Sequence, residues 1–169
     1  WSGDVVPSGE FNEVAQWDGT VPGALNLNYT AAGTGANLGK SPALSFSILG
    51  TQTEPLTINS ASGTAGIRTK DFTVASGAGP VTIGGIAGVD NLNLGSTNVK
   101  EHAFTNNSAN AATFQSDVSF GAGNAVTHNL TLGGSGDWNM NARLEKSSQG
   151  TINVIKDGTI RQVELDLSG

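Results

Sequence analysis

Leu56-Thr57-Ile58, Phe72-Thr73-Val74, Val81-Thr82-Ile83, Leu92-Asn93-Leu94, Leu130-Thr131-Leu132 and Ile152-Asn153-Val154 share one form: apolar, uncharged polar, apolar. Alternation at period two is the signature of a strand with one buried face. These triplets put Leu56, Ile58, Val74, Ile83, Leu92, Leu94, Leu130, Leu132, Ile152 and Val154 on the inner side. Working outward, strands are expected at 43–49, 56–59, 72–75, 81–84, 91–94, 102–105, 112–120, 128–132, 137–144, 151–156 and 159–167. Gly-rich turns separate them, among them Ser76-Gly77-Ala78-Gly79, Gly121-Ala122-Gly123 and Gly133-Gly134-Ser135-Gly136. Glycine permits the positive φ angles such turns use.

The fold class is therefore all-β, in one domain spanning residues 1–169. A right-handed parallel β-helix is the expected architecture, because the strands are very short and the turns are rich in Asn and Gly. A β-sandwich is the alternative, since strand spacing of this order suits both. Asp157-Gly158 is the best hairpin signal and predicts a local antiparallel pair at the C-terminal end.

Residues 1–30 read differently. They hold Trp1, Trp17, Tyr29 and the acids Asp4, Glu10, Glu13 and Asp18. A short helix over Glu10 to Trp17 is expected, serving as the N-terminal cap or entry segment that a stack of strands needs to cover its first layer. Residues 31–42 are expected to be a loop.

Charged residues make up 13% of the chain, against roughly 25% in typical soluble domains. Eight basic and fourteen acidic residues give a net charge of −6. No Lys/Arg cluster is present to neutralise phosphates, which argues against nucleic-acid partners and anionic membrane surfaces. Cysteine is absent, so no disulfide staples the fold. No apolar run approaches the ~20 residues of a membrane span, so membrane insertion is not expected.

The stretches Thr105-Asn106-Asn107-Ser108-Ala109-Asn110, Asp117-Val118-Ser119-Phe120-Gly121, 128–142 (His-Asn-Leu-Thr-Leu-Gly-Gly-Ser-Gly-Asp-Trp-Asn-Met-Asn-Ala) and Val154-Ile155-Lys156-Asp157-Gly158 carry a resemblance. Together they resemble the autotransporter-associated β-strand repeat proteins, large surface proteins of bacteria such as Verrucomicrobia and Planctomycetes. Trp17-Asp18-Gly19-Thr20-Val21-Pro22-Gly23 looks like the entry segment of those regions. The resemblance implies a parallel β-helix, an extracellular or cell-surface location and a structural or adhesive role. The chain departs from the family pattern after Lys156-Asp157-Gly158. A second Gly is missing there, and a longer strand, Thr159–Leu167, stands in its place.

Catalytic and metal-binding signatures are weak throughout. Gly33-Thr34-Gly35-Ala36-Asn37-Leu38-Gly39-Lys40-Ser41 approaches a phosphate-binding loop, but Thr34 stands where the first Gly is needed, and Pro42 follows. His102 and His128 lie 26 residues apart and read as surface residues, too few for a zinc site. Asp71, Asp90, Asp117 and Asp137 fall on separate turns; stacked on one face they would suit Ca²⁺, and otherwise they are solvated turn acids. No Gly-x-Ser-x-Gly elbow exists, and no groove of acids and bases for polysaccharide chemistry is visible. Neither an enzymatic activity nor a cofactor is expected. Three Asn-x-Ser/Thr sequons, at Asn28, Asn106 and Asn129, mark surface positions only where a host glycosylates.

The first functional expectation is a structural protein that self-associates into a filament or layer, as a homo-oligomer or homopolymer. Open strand edges at the ends of a stack invite such growth. In Val163-Glu164-Leu165-Asp166-Leu167 apolar and acidic residues alternate without exception, so this last strand is expected either to pair with a neighbouring subunit or to close its own chain. The subunit-interface residues on the first reading are Val163, Leu165 and Leu167, with Val5, Val6 and Trp17 as acceptor. The alternative is an adhesin or autotransporter passenger fragment that binds glycans or surfaces, with Trp138 and Phe114 as the candidate aromatics.

Overall fold

The computed structural model describes residues 14–29, 45–60, 67–84, 91–93, 100–115, 117–120, 127–146, 151–157 and 163–166. The strands within them are β1 (Val14–Trp17), β2 (Leu25–Tyr29), β3 (Ser45–Ile48), β4 (Leu56–Ser60) and β5 (Ile67–Arg68). Next come β6 (Phe72–Val74), β7 (Val81–Ile83), β8 (Asn91–Asn93), β9 (Glu101–Asn106) and β10 (Ala112–Phe114). The last are β11 (Asp117–Phe120), β12 (Thr127–Gly133), β13 (Trp138–Lys146), β14 (Thr151–Lys156) and β15 (Val163–Asp166). No helix occurs among the described residues.

Every strand pairing among them is parallel. A six-stranded sheet runs β1-β3-β6-β9-β12-β14, and the remaining nine strands form a second sheet. In that second sheet β13 is shared. Its start pairs with β10 and with β15, and its end pairs with β11. Three ladders result: β1 to β14, then β2-β4-β7-β10-β13-β15, then β5-β8-β11-β13. Strands adjacent in sequence do not pair. The chain visits the ladders in turn and returns to the first one after 24 to 32 residues, from Leu132 to Lys156 and from Phe72 to Phe104. A parallel neighbour requires such a crossover.

Several expectations are corrected here. The antiparallel sheets of a sandwich are not found among the described residues. Val14–Trp17 is a strand, in register with Ser45–Ile48, so the predicted helix over Glu10 to Trp17 fails across its described half. Only Ala15 of this strand is buried, and four residues with one inward side chain hardly register as a pattern. Asp157 does not open a hairpin, because the strands on either side of it pair in parallel with different ladders. The loop expected at 31–42 lies outside the described residues.

The core is a set of columns, one residue per strand. Phe46, Phe72 and Phe104 are successive cross-strand partners and are buried. Their rings meet edge to face, with centroids 5.9 Å and 6.1 Å apart, a favoured aromatic arrangement. Trp17 caps the run against Phe46 at 5.5 Å. In the second ladder Phe114 stacks on Trp138 at 5.3 Å, and Phe104 reaches across to stack on Phe114 at 5.4 Å. These rings hold the first two ladders together. The buried Trp138 indole donates to the Gly133 carbonyl at 3.1 Å, so its N–H is satisfied. Leu56, Ile58, Val74, Ile83, Leu130 and Leu132 are buried as expected, while Ile152 and Val154 are packed on the core only in part, being on the last strand of the sheet. Leu92 lies in β8 in register with Val118, and Leu94 is outside the described residues.

Candidate functional site

Three features carry chemistry or recognition: a stacked corner, a buried histidine pair and the two ends of the ladders.

The corner joins the first ladder to the second. Asn106, at the end of β9, is buried, and its side chain is saturated. Its Nδ2 donates to the carbonyls of Asn110 (2.9 Å) and Asp137 (2.8 Å), and its Oδ1 accepts from the Ser108 N–H (2.9 Å). Ser108 Oγ and Asn110 Nδ2 both donate to the Ala78 carbonyl of the preceding corner, at 2.5 Å and 2.9 Å. One corner is thus tied to those before and after it. Asn106 being buried, its sequon offers no surface for a glycan.

The histidines correct the sequence reading outright. His102 (1% exposed) and His128 (2% exposed) are core residues whose rings stack at 5.8 Å, 25° from parallel. His102 Nδ1 lies 3.0 Å from the Lys70 carbonyl. A carbonyl only accepts, so Nδ1 carries the proton. Burial pushes both imidazoles below their ordinary value, and the charge of each neighbour counts as well: His128 against His102, and Lys100 against His128. A neutral, stacked pair suits packing. Among the described residues no group of three or more His, Asp or Glu side chains is placed to hold a metal ion. Of the four acids weighed for Ca²⁺, Asp71 pairs with Lys70 at 3.5 Å and its Oδ1 accepts from the Ala103 N–H. Asp137 sits in the corner, Asp117 begins β11, and Asp90 is outside the described residues.

The ends of the ladders are where the expected interface residues fall. Trp17 closes β1, the first strand of the six-stranded sheet. Val163 and Leu165 lie in β15, in register with Trp138 and Met140 of the same chain. One edge of β15 is therefore used internally. Val5, Val6 and Leu167 are outside the described residues. Trp138 and Phe114, the aromatics considered for an adhesive surface, are both buried.

Sequence reasoning missed one end feature. Register runs Val14 to Ser45 on β3, and Asp71, Ala103, Thr131 and Ile155 continue the same outer column. Its two termini, Val14 (56% exposed) and Ile155 (44%), are two of the three exposed large hydrophobics among the described residues. The second ladder matches it. Leu25-Leu56-Val81-Ala112-Trp138-Val163 and Leu27-Ile58-Ile83-Phe114-Met140-Leu165 are apolar columns from first strand to last.

No family model, no curated protein and no solved structure matches this chain. Among the described residues no helix is long and apolar enough to cross a membrane.

Proposed function

We propose that this chain is a right-handed parallel β-helix with a structural, non-catalytic role outside the cell or on a bacterial surface, and that it self-associates into a filament or layer. The three ladders, visited in turn, support the helical architecture: the chain winds through them once per rung, and right-handed crossovers are the rule for parallel strands. The resemblance to autotransporter-associated β-strand repeat proteins supports the location. The observation that carries the assembly is the apolar character of the same columns at both the first and the last strands. An end strand with one unpaired edge is a template for another strand. Head-to-tail contact between identical copies does not close and so grows into an open polymer.

The adhesin alternative draws support from the resemblance alone, since Trp138 and Phe114 are core residues. Light scattering behind size-exclusion chromatography, over a wide concentration range, tests the proposal, with negative-stain images of the same fractions. The expected result is mass growing with concentration and linear particles. A monomer at every concentration would sink it.

A further inference from the structure

Both ladders that run from the first strands to the last end in residues of the same kind. In the first ladder the outer column starts at the exposed Val14 and ends at the exposed Ile155. In the second, Leu25 and Leu27 are half-buried on the first strand, and Val163 and Leu165 stand at the matching register positions on the last. Among the described residues all strands run in one direction, so two such ends are complementary to each other. A parallel neighbour added to β14 meets the same hydrogen-bonding pattern that β12 already gives it.

Resting on the self-association proposed above, we infer the register of the contact: β14 of one copy pairs in parallel with β1 of the next, and β15 pairs with β2. Ile155 then stands beside Val14, and Val163 and Leu165 stand beside Leu25 and Leu27. The partner is a second copy of this chain. This differs from the acceptor expected from the sequence, where β15 was to meet the segment holding Val5, Val6 and Trp17. The apolar columns of the second ladder continue through the junction, and on the outer face Val14 and Ile155 cover each other's flanks. No like charges meet at the join, since Glu164 faces Asn26 and Lys156 faces Ala15.

The absence of cysteine makes a direct test clean. Neighbouring strands lie ~4.8 Å apart, within the Cα separation that a disulfide spans. Five strand intervals separate β1 from β14, roughly 24 Å at that spacing, so no bond can form within one copy. A double variant, Val14→Cys with Ile155→Cys, is oxidised at an assembling concentration and run on a denaturing gel. A second, Val14→Cys with Asn153→Cys, shifts one thiol by two residues along the strand. The expected result is a ladder of covalent multimers from the first and at least tenfold less from the second. Val14→Asp and Ile155→Asp, both at exposed positions, are expected to fold and to lose association. Three results would overturn the inference. Assembly without cross-links from the first variant refutes this register and leaves self-association standing. Equal cross-linking of both variants means random collision. A wild-type chain that never assembles refutes the proposed function itself, and this contact with it.

Discussion

Gly134 lies directly over Asn106, one circuit of the chain later. The backbone of Asn106 fills the space where a Cβ on Gly134 would stand, and Gly134 has a φ of +99°. Both conditions demand glycine. The same close approach recurs where Gly19 meets Thr51, Gly50 meets Ser76 and Gly136 meets Ser108, so the corners stack at strand spacing only because side chains are missing there. Gly134→Ala is therefore expected to cost roughly 3 kcal/mol or more, through left-handed strain together with backbone overlap. Gly23 also has a positive φ of +88° but has open space around it, so Gly23→Ala is expected to cost only about 1 kcal/mol. Urea unfolding of the two variants checks this; equal losses would mean that overlap at the corner is relieved at no cost.

Asn106 is expected to tolerate no near relative. Asn106→Asp keeps the shape but replaces two donated hydrogen bonds with a carboxylate oxygen facing the Asn110 and Asp137 carbonyls. A buried acceptor against two acceptors costs more than a lost pair, about 3 kcal/mol or above. Asn106→Ala loses the bonds without adding a charge and is expected to be the milder change. Thermal melts of both decide; an Asp variant as stable as wild type would place the side chain in water.

The aromatic column ranks the core. Phe72 packs against Phe46, Phe104, Phe114 and Trp138, and truncating it to Ala is expected to cost 3–5 kcal/mol, roughly. Leu132→Asp buries an unpaired charge and is expected to cost at least as much. Ile152, half-buried on the end strand, is expected to lose only about 1 kcal/mol as Ala. If Phe72→Ala and Ile152→Ala melt alike, the rings are not the core.

Stability is expected to fall on mild acidification because of His102 and His128. Both titrate below 6.5 in the native chain, with burial as the main cause. The unfolded chain then binds protons that the folded one refuses. The full contribution is present above pH 6.5 and is lost as pH falls from there through the lowered native values. The charges around the pair oppose one another: Asp71 and Glu101 favour protonation of His102, whereas Lys100 disfavours that of His128. Unfolding free energies at pH 7.5, 6.0 and 5.0 should decline, and less steeply in a His102→Gln, His128→Gln double variant. Equal slopes for the two chains would remove the histidines from the explanation.

How far the sequence reveals this molecule depends on the length of each pattern. Thr151–Lys156 is legible to the residue because polar and apolar positions alternate from Thr151 to Val154. Ile67–Arg68 is a strand of two residues, too short for any period, so the first strand of the third ladder is hidden. Residues 112–120 look like one strand, yet there are two: β10 ends at Phe114 and pairs with the start of β13, while β11 begins at Asp117 and pairs with its end. The histidines show the deeper reason. His102 pairs with Leu130, two residues beyond His128, so their rings meet only once the length of the circuit is known. Long-range register of this kind comes from the stacking of turns and not from local alternation.

Lys156 is the one charge in an otherwise uncharged inward column. Register carries that column through Ala15, Phe46, Phe72, Phe104, Leu132 and Lys156. An inward-facing charge on an end strand is a device that limits further pairing. In the head-to-tail register Lys156 meets Ala15 of the next copy, whose small side chain leaves room for the lysine stem while the ammonium turns to water. Growth is then allowed but weakened. Lys156→Leu is expected to extend the apolar column across the junction. It should lower the concentration needed for association by about tenfold, equivalent to roughly 1.4 kcal/mol. The monomer should gain or lose little, since Lys156 is exposed in the single chain. Sedimentation velocity across a dilution series measures the shift, and urea unfolding of the dilute monomer controls for folding. An unchanged association midpoint would show that this column does not reach the contact.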